Sequence, residues 1–447
     1  MGLIRTVTEN NQPLQLAYSI LSGDDDQDRA CRAIPDDACH HLPRNYVLNV
    51  LNGTCTKLAE QIAGPNLVLP WLLTAVGAPV FLTGLLMPLK QTGSLLPQLA
   101  ISGTIRAAAR RKWFWVGAGA FQALMLLAMA AAVVLLASPL YAGLAIMFAL
   151  ALFSVASGVG SVAFQDVVGK TIDKGLRGTM LSYRAALGGA LAVAFGLAIK
   201  LALGQSANLP AYVGLVLIGA CLWALAAALF AAIREQPGAT GGGRNAIAEA
   251  RAGAALLRRY PGYRRYLLAR AALVSIEIAA PFYVIAAHHE SQGAASLLGL
   301  LVLAVALARV LSSPFWGRFS DTSARRVMAL AGLVGVLPGA FALALAALPA
   351  GPYSAYGFGL VFFILGFAEA GVRLGRKTYL VDAAPEKERP TLVAFGNSAI
   401  GMITLLGGVL GAVAQWGGLT AILAVLVAAA ATGSGLSLAM PEAEDFA

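Results

Sequence analysis

About every thirty residues the chain passes from a long apolar run to a short basic knot. The knots read GTIRAAARRK from Gly103, KTIDKGLR from Lys170, RRYPGYRRY from Arg258, GRFSDTSARR from Gly317 and RKTYLVDAAPEKER from Arg376. A helix needs about 20 apolar residues to span a hydrocarbon core of about 30 Å. Runs of that length, each closed by a knot or a Gly/Pro-rich break, predict helices over about 44–73, 79–102, 113–136, 139–170, 178–203 and 210–233. A second set is expected over about 264–288, 294–316, 327–349, 353–378, 391–414 and 418–439. The pattern therefore predicts an all-α membrane protein with twelve transmembrane helices.

The two sets echo each other. Laid over one another, Gly103, Arg111 and Lys112 fall on Gly317, Arg325 and Arg326, while Lys170, Arg177 and Thr179 fall near Asp382, Arg389 and Thr391. Such an internal repeat in an apolar chain predicts two six-helix bundles related by a pseudo-two-fold axis. The expected division is a polar N-terminal tail over 1–44, a first bundle over 45–234, a linker over 235–263, a second bundle over 264–440 and an acidic tail over 441–447. The linker opens EQPGATGGGRNAIAEAR from Glu235, the composition of a flexible joint followed by a surface helix.

Composition agrees with the pattern. Of 447 residues, 58% are hydrophobic and 12% charged, with a mean hydropathy of +0.74, too apolar for an ordinary polar surface in water. The net charge of +10 would suit nucleic acid if it formed a stripe, but its position argues otherwise. The Lys and Arg gather in alternate loops, whereas TAVGAP, ASPL, HHESQG, PAGPY and QWGG carry none, and Lys200 alone lies near that side. This asymmetry is the positive-inside rule and predicts both termini in the cytoplasm of a bacterial-type inner membrane. Four scattered cysteines are too few for a disulfide framework, and reduced thiols are expected.

The decapeptide GRFSDTSARR has the form G-x-x-x-D-x-x-x-R-R in the loop between helices 8 and 9. With the helix count, the repeat, the long central loop and the cytoplasmic termini, it makes the chain resemble the major facilitator superfamily. The resemblance implies a gating loop formed by Gly317, Asp321, Arg325 and Arg326, with Asp321 capping a neighbouring helix. The first-half copy departs from the pattern, since Ala107 stands where the Asp is expected. The resemblance also implies that helices 1, 4, 7 and 10 line a central cavity.

Those helices carry ionisable residues, each costing roughly 2.5 to 3.5 kcal/mol at bilayer depth on insertion scales. They are Lys57 and Glu60, Asp166, Arg270 and Glu277, and Glu369 and Arg373. On helix 1, Asn45, Asn49, Asn52, Gly53, Thr56 and Glu60 fall on one face at helical period, with Lys57 at its edge. Glu60 is therefore a candidate proton carrier, with a structural Lys57 to Glu60 pair as the alternative. Glu277, ahead of Pro281, is a second candidate, and Lys90 on helix 2 is a candidate cavity cation with headgroup snorkelling as its alternative. Glu369 and Arg373 form either a self-neutralising pair or one that substrate or a proton can open. The repeat sets Ser157 and Ser161 against Glu369 and Arg373, so the halves differ in chemistry at matching sites.

The function expected is secondary transport of a small anionic or zwitterionic solute by alternating access, coupled to protons, by a monomer. A multidrug-type exporter and a non-transporting membrane scaffold are the alternatives. No nucleophile, paired-acid or metal-ligand pattern stands out, so no enzyme, cofactor, metal site or nucleic-acid partner is expected.

Overall fold

The structure, a computed structural model, describes residues 12–22, 39–173, 176–202, 209–238, 246–291, 295–320, 322–347, 352–385, 388–443 and 446. Those residues form helices α1 (Gln12–Ser22), α2 (Leu42–Ile62), α3 (Val68–Val76), α4 (Val80–Leu95), α5 (Pro97–Ala107), α6 (Lys112–Leu135), α7 (Pro139–Thr171), α8 (Arg177–Ala202) and α9 (Leu209–Ala231). The second half holds α10 (Ala246–Arg259), α11 (Pro261–Ile278), α12 (Ala280–Glu290), α13 (Ala295–Ser320), α14 (Ala324–Val334), α15 (Leu337–Ala346), α16 (Pro352–Ala383), α17 (Arg389–Leu406) and α18 (Val409–Leu438).

Several of these are halves of one pass, divided where the sequence removes a backbone donor. α2 and α3 part at 63–67 around Pro65, α4 and α5 before Pro97, α11 and α12 before Pro281, and α14 and α15 before Pro338. Among the described residues nine stretches are long and apolar enough to cross a bilayer, one of them the 48-residue Thr391–Leu438. Inside that stretch Gly418 has φ +80, a backbone that only glycine adopts readily, and there the helix is kinked. The passes formed by α2 with α3 and α4 with α5 fall outside the nine because each is broken into shorter or more polar pieces. The arrangement is consistent with twelve passes.

The packing repeats between halves. α6 packs on α7 and α9, and α9 on α2; correspondingly α14 packs on α16 and α18, and α18 on α11. The halves meet along two seams, α8 on α13 and α4 on α17 and α18. Both seams are closed by glycine: a Cβ on Gly84 would strike the Gly411 backbone, and one on Gly299 would strike the backbones of Lys200 and Gly196. Small residues let the backbones approach, which is the main source of helix association where lipid is as apolar as the side chains. At the end opposite the helix-18 terminus, Trp71 of α3 meets the His288 ring of α12 at 5.0 Å and donates to Tyr212 Oη at 2.5 Å.

At the other end each half is tied by a carboxylate just beyond its last helix. Glu235, with its side chain fully buried, accepts the backbone N–H groups of Arg111 at 3.0 Å and Lys112 at 2.7 Å and pairs with Lys170 at 3.0 Å. It thereby satisfies donors at the start of α6 that have no partner within the helix. Glu442 pairs with Arg325 at 2.6 Å and accepts from Ser323 at 3.0 Å at the start of α14. Phe446 is buried against Tyr260, Tyr263 and Tyr379, so part of the acidic tail is packed onto the second bundle. The first residues of the linker are likewise fixed, Gly238 donating to Ala109 O at 3.0 Å. Cys55 and Cys221 are free thiols, but Cys39, on the tail outside the spanning helices, is disulfide-bonded, which corrects the expectation of reduced thiols throughout.

Because Glu235 is buried and Glu442 is 38% accessible, the two ties differ in strength. Glu235→Ala is expected to cost about 3 kcal/mol, since it strands buried donors. Glu442→Ala is expected to cost about 1 kcal/mol. Thermal unfolding of the purified chain in detergent checks the order, and an equal or reversed loss in Tm would contradict it.

Candidate functional site

Two of the broken passes occupy corresponding places in the two halves, and each carries an acid about one turn before its break. Glu60 lies near the end of α2 ahead of Pro65, and Glu277 near the end of α11 ahead of Pro281. A Cβ on Gly64 would collide with the carbonyl of Glu60, so the chain turns there on glycine. Interrupted helices at matching positions of a repeat are where irregular backbone is tolerated at membrane depth, because it lines a cavity rather than lipid.

Around these acids the halves present charge to one another. Lys57 Nζ lies 2.9 Å from Glu60 Oε2, with side chains 48% and 36% accessible. Glu60 is also in electrostatic reach of Lys90 on α4 and of Arg309 on α13, across the seam. Glu277 is buried; its carboxylate accepts from Gln91 Nε2 of α4 at 2.9 Å and lies 3.2 Å from Arg376 Nη1 of α16. Glu369 is buried on α16, and its Oε2 is shared by Arg309 at 3.8 Å and Arg373 at 3.7 Å. Arg373 remains 45% accessible. Lys377, one turn further along α16, is exposed and in electrostatic reach of Lys57 in the other half. These groups come from both bundles and act on one another, so their accessible surfaces border a common space between the halves. Unit charges about 4 Å apart interact by about 4 kcal/mol at an effective dielectric constant of about 20, comparable to the cost of placing each at depth.

The candidates Lys57, Glu60, Lys90, Glu277, Glu369 and Arg373 thus gather in one cluster. The polar face of helix 1 divides. Asn45 Nδ2 donates to Arg234 O at 3.0 Å and Asn52 Nδ2 to Ala226 O at 2.9 Å, tying α2 to the end of the first bundle. Gly53 makes room for Arg184 of α8, which donates to Asn49 O at 2.7 Å and lies 4.4 Å from the Phe164 ring. Only the last turn of that face joins the cluster. Asp166 pairs with Arg111 at 3.2 Å near the terminal end of the first bundle. Arg270 donates to Asn397 at 2.9 Å, joining α11 to α17. In the loop expected to gate, Asp321 lies outside the described residues and Gly317 continues α13. Arg325 is held by Glu442 and by Met440 O at 2.7 Å, while Arg326 approaches Glu442 at 4.0 Å.

Three members were missed by sequence reasoning, Arg309, Arg376 and Lys377, whereas Gln91 lies on the polar face of helix 2 that also carries Lys90. Arg309 left a visible signal as the one charge inside the run LGLLVLAVALARVL, on a helix not counted among the cavity-lining four. Among the described residues no three His, Cys, Asp or Glu side chains gather to hold a metal.

The Major Facilitator Superfamily profile matches residues 266–444. An uncharacterized protein of Mycobacterium tuberculosis is 28% identical over 273 residues, 58% of this chain and 51% of that protein. The chain therefore spans about half the length of the curated relatives it matches. Among solved structures, the nucleoside transporter NupG superposes with a TM-score of 0.60 at 14% identity, covering 89% of this chain and 97% of its own. A D-xylose-proton symporter superposes with a TM-score of 0.64 at 12% identity, covering 90% and 98%. The second half of the chain is thus similar to the Major Facilitator Superfamily. The chain's all-helical, two-bundle architecture is the fold of that superfamily.

Glu277 is bound from both halves, which makes it sensitive to its partners. Glu277→Ala leaves the half-buried Arg376 beside Arg270 and Arg373 and is expected to destabilise by about 3 kcal/mol, whereas Gln91→Ala costs about 1 kcal/mol. Adding Arg376→Ala to Glu277→Ala should restore part of the loss, because removing both partners costs less than stranding one. Tm values across this cycle check it; strict additivity would count against the pairing.

Proposed function

We propose that the chain is a secondary active transporter, carrying a small anionic or zwitterionic solute by alternating access with protons as the coupling ion. One observation carries the reading: a cation-rich cluster sits between the two bundles, at the interruptions of corresponding helices. Lys57 and Lys90 face it from the first half, and Arg309, Arg373, Arg376 and Lys377 from the second, against the carboxylates of Glu60, Glu277 and Glu369. Such a site attracts an anion and repels a lipophilic cation, which argues against the multidrug-type alternative.

Coupling follows from the sharing at Glu369. A substrate anion that draws away Arg373 leaves Glu369 with Arg309 alone, and a carboxylate at depth that loses one of two partners gains a proton more readily. Anion and proton then enter together and leave together. The groups facing Glu369 are Arg309, Arg373, Glu277 and Lys90. A D-xylose-proton symporter on the same fold supports protons as a driving ion for this architecture. Placement in a bacterial-type inner membrane, as a monomer with both termini cytoplasmic, is part of the proposal and rests on the basic loops.

The test is uptake of a metabolite panel by proteoliposomes with and without an imposed pH gradient. Uptake of the substrate is expected to follow the gradient in the wild type and to lose that dependence in Glu369→Gln. Lys90→Ala and Arg373→Ala should each weaken uptake roughly 10- to 100-fold, the range for loss of one charge-assisted contact. Gradient-independent uptake by the wild type would remove proton coupling; two silent cation variants would remove the anion.

A further inference from the structure

The charges of the central cluster do not balance, and the surplus lies on both sides of the space between the bundles. In the second half Glu277 is engaged by Arg376 at 3.2 Å, and Glu369 offers a single oxygen to both Arg309 and Arg373. One of those two guanidinium groups is therefore uncompensated, and Lys377 has no ion pair among the described residues. In the first half Glu60 is engaged by Lys57 at 2.9 Å, which leaves Lys90 as the surplus cation. Lys90 is in electrostatic reach of Arg309 and Arg373, and Lys377 of Lys57, so like charges oppose one another across the gap.

We infer that the site takes an organic dianion whose two negative groups are separated by a carbon skeleton, one group held by Lys90 of the first bundle and the other by Arg373 and Lys377 of the second. A monoanion answers one bank and leaves the other repelled. A zwitterion needs an uncommitted carboxylate for its cationic end, and all three carboxylates of the cluster are already in ion pairs. Inorganic phosphate concentrates its charge on one centre and reaches one bank. Only charges at both ends of a short chain turn the repulsion between the banks into attraction, which draws the bundles together around the ligand. The inference rests on the cluster being the transport site proposed above.

The experiment uses the purified full-length chain and a series of linear dicarboxylates from malonate to adipate, each against its monomethyl ester, at constant ionic strength. The further probes are 4-aminobutyrate and inorganic phosphate, and binding is read from the ligand-induced rise in Tm. At least one dicarboxylate is expected to bind about 10-fold or more tightly than its monoester, the worth of one additional charge-assisted contact. Lys90→Gln and Arg373→Gln should each bring the dicarboxylate down to the level of its monoester, and Lys90→Arg should keep the preference. The wild-type comparison needs no variant to fold. If no dicarboxylate outbinds its monoester, or if 4-aminobutyrate or phosphate binds as tightly, the inference is overturned. An unchanged preference in Lys90→Gln also overturns it. Dicarboxylate binding without uptake into proteoliposomes would overturn the transport reading and leave the dianion site standing; gradient-driven uptake of a monoanion or zwitterion alone would do the reverse.

Discussion

A charge held between two apolar bundles must be answered by another charge or by water, and the centre of this protein is arranged around that requirement. Each acid there has a basic partner, Glu60 with Lys57, Glu277 with Arg376, and Glu369 with Arg309 and Arg373. The helix interruptions meet the same need. Breaking α2 from α3 and α11 from α12 frees backbone polar groups at depth, and these are tolerable only beside protein or a wetted cavity. Acid and break therefore coincide in both halves.

The bundles share a skeleton but not a chemistry. Their packing partners repeat, and both end in a carboxylate, Glu235 or Glu442, that ties the last helix to the start of the third or ninth. At the matching positions of helices 4 and 10, however, Ser157 and Ser161 stand against Glu369 and Arg373. The second bundle consequently supplies most of the fixed charge, and the first supplies Lys90 and the Lys57 to Glu60 pair to face it. A repeat constrains geometry through packing, where similar shapes suffice. It leaves the cavity-facing positions free to diverge.

The fold was largely legible because its signals are local: apolar run length, basic knots and prolines act within a span of about 20 residues. The predicted helix over 44–73 also hid a break, since Gly64 and Pro65 read only as an apolar run with two small interruptions. The site was legible by residue type but not by partner. Glu369 and Arg373 are four apart on one helix, so their pairing could be read from the helical period. Arg309 joins them from α13 and Arg376 reaches Glu277 from α16, and such contacts depend on crossing angles that no periodicity reports. The polar face of helix 1 misled for a related reason. Its asparagines seek backbone carbonyls of α9 as readily as a cavity, and the period marks a polar stripe without saying which neighbour it meets.

The two acids of the second bundle differ in a way that bears on movement. Glu277 is gripped at 2.9 Å by Gln91 of the opposite half and at 3.2 Å by Arg376 of its own, so it acts as a strut between bundles. Among the described residues Glu369 is paired from its own bundle alone, at 3.7 and 3.8 Å, by two guanidinium groups competing for one oxygen. The shorter, inter-bundle contacts resist separation of the halves, whereas the longer, shared ones yield to any better acceptor. On the proposed reading, a ligand that wins Arg373 loosens the hold on Glu369 without first dismantling the strut at Glu277. In that scheme chemistry at the exposed side of the cluster precedes motion at the seam, where the close contacts of Gly84 with Gly411 and Gly196 with Gly299 would serve as the pivot.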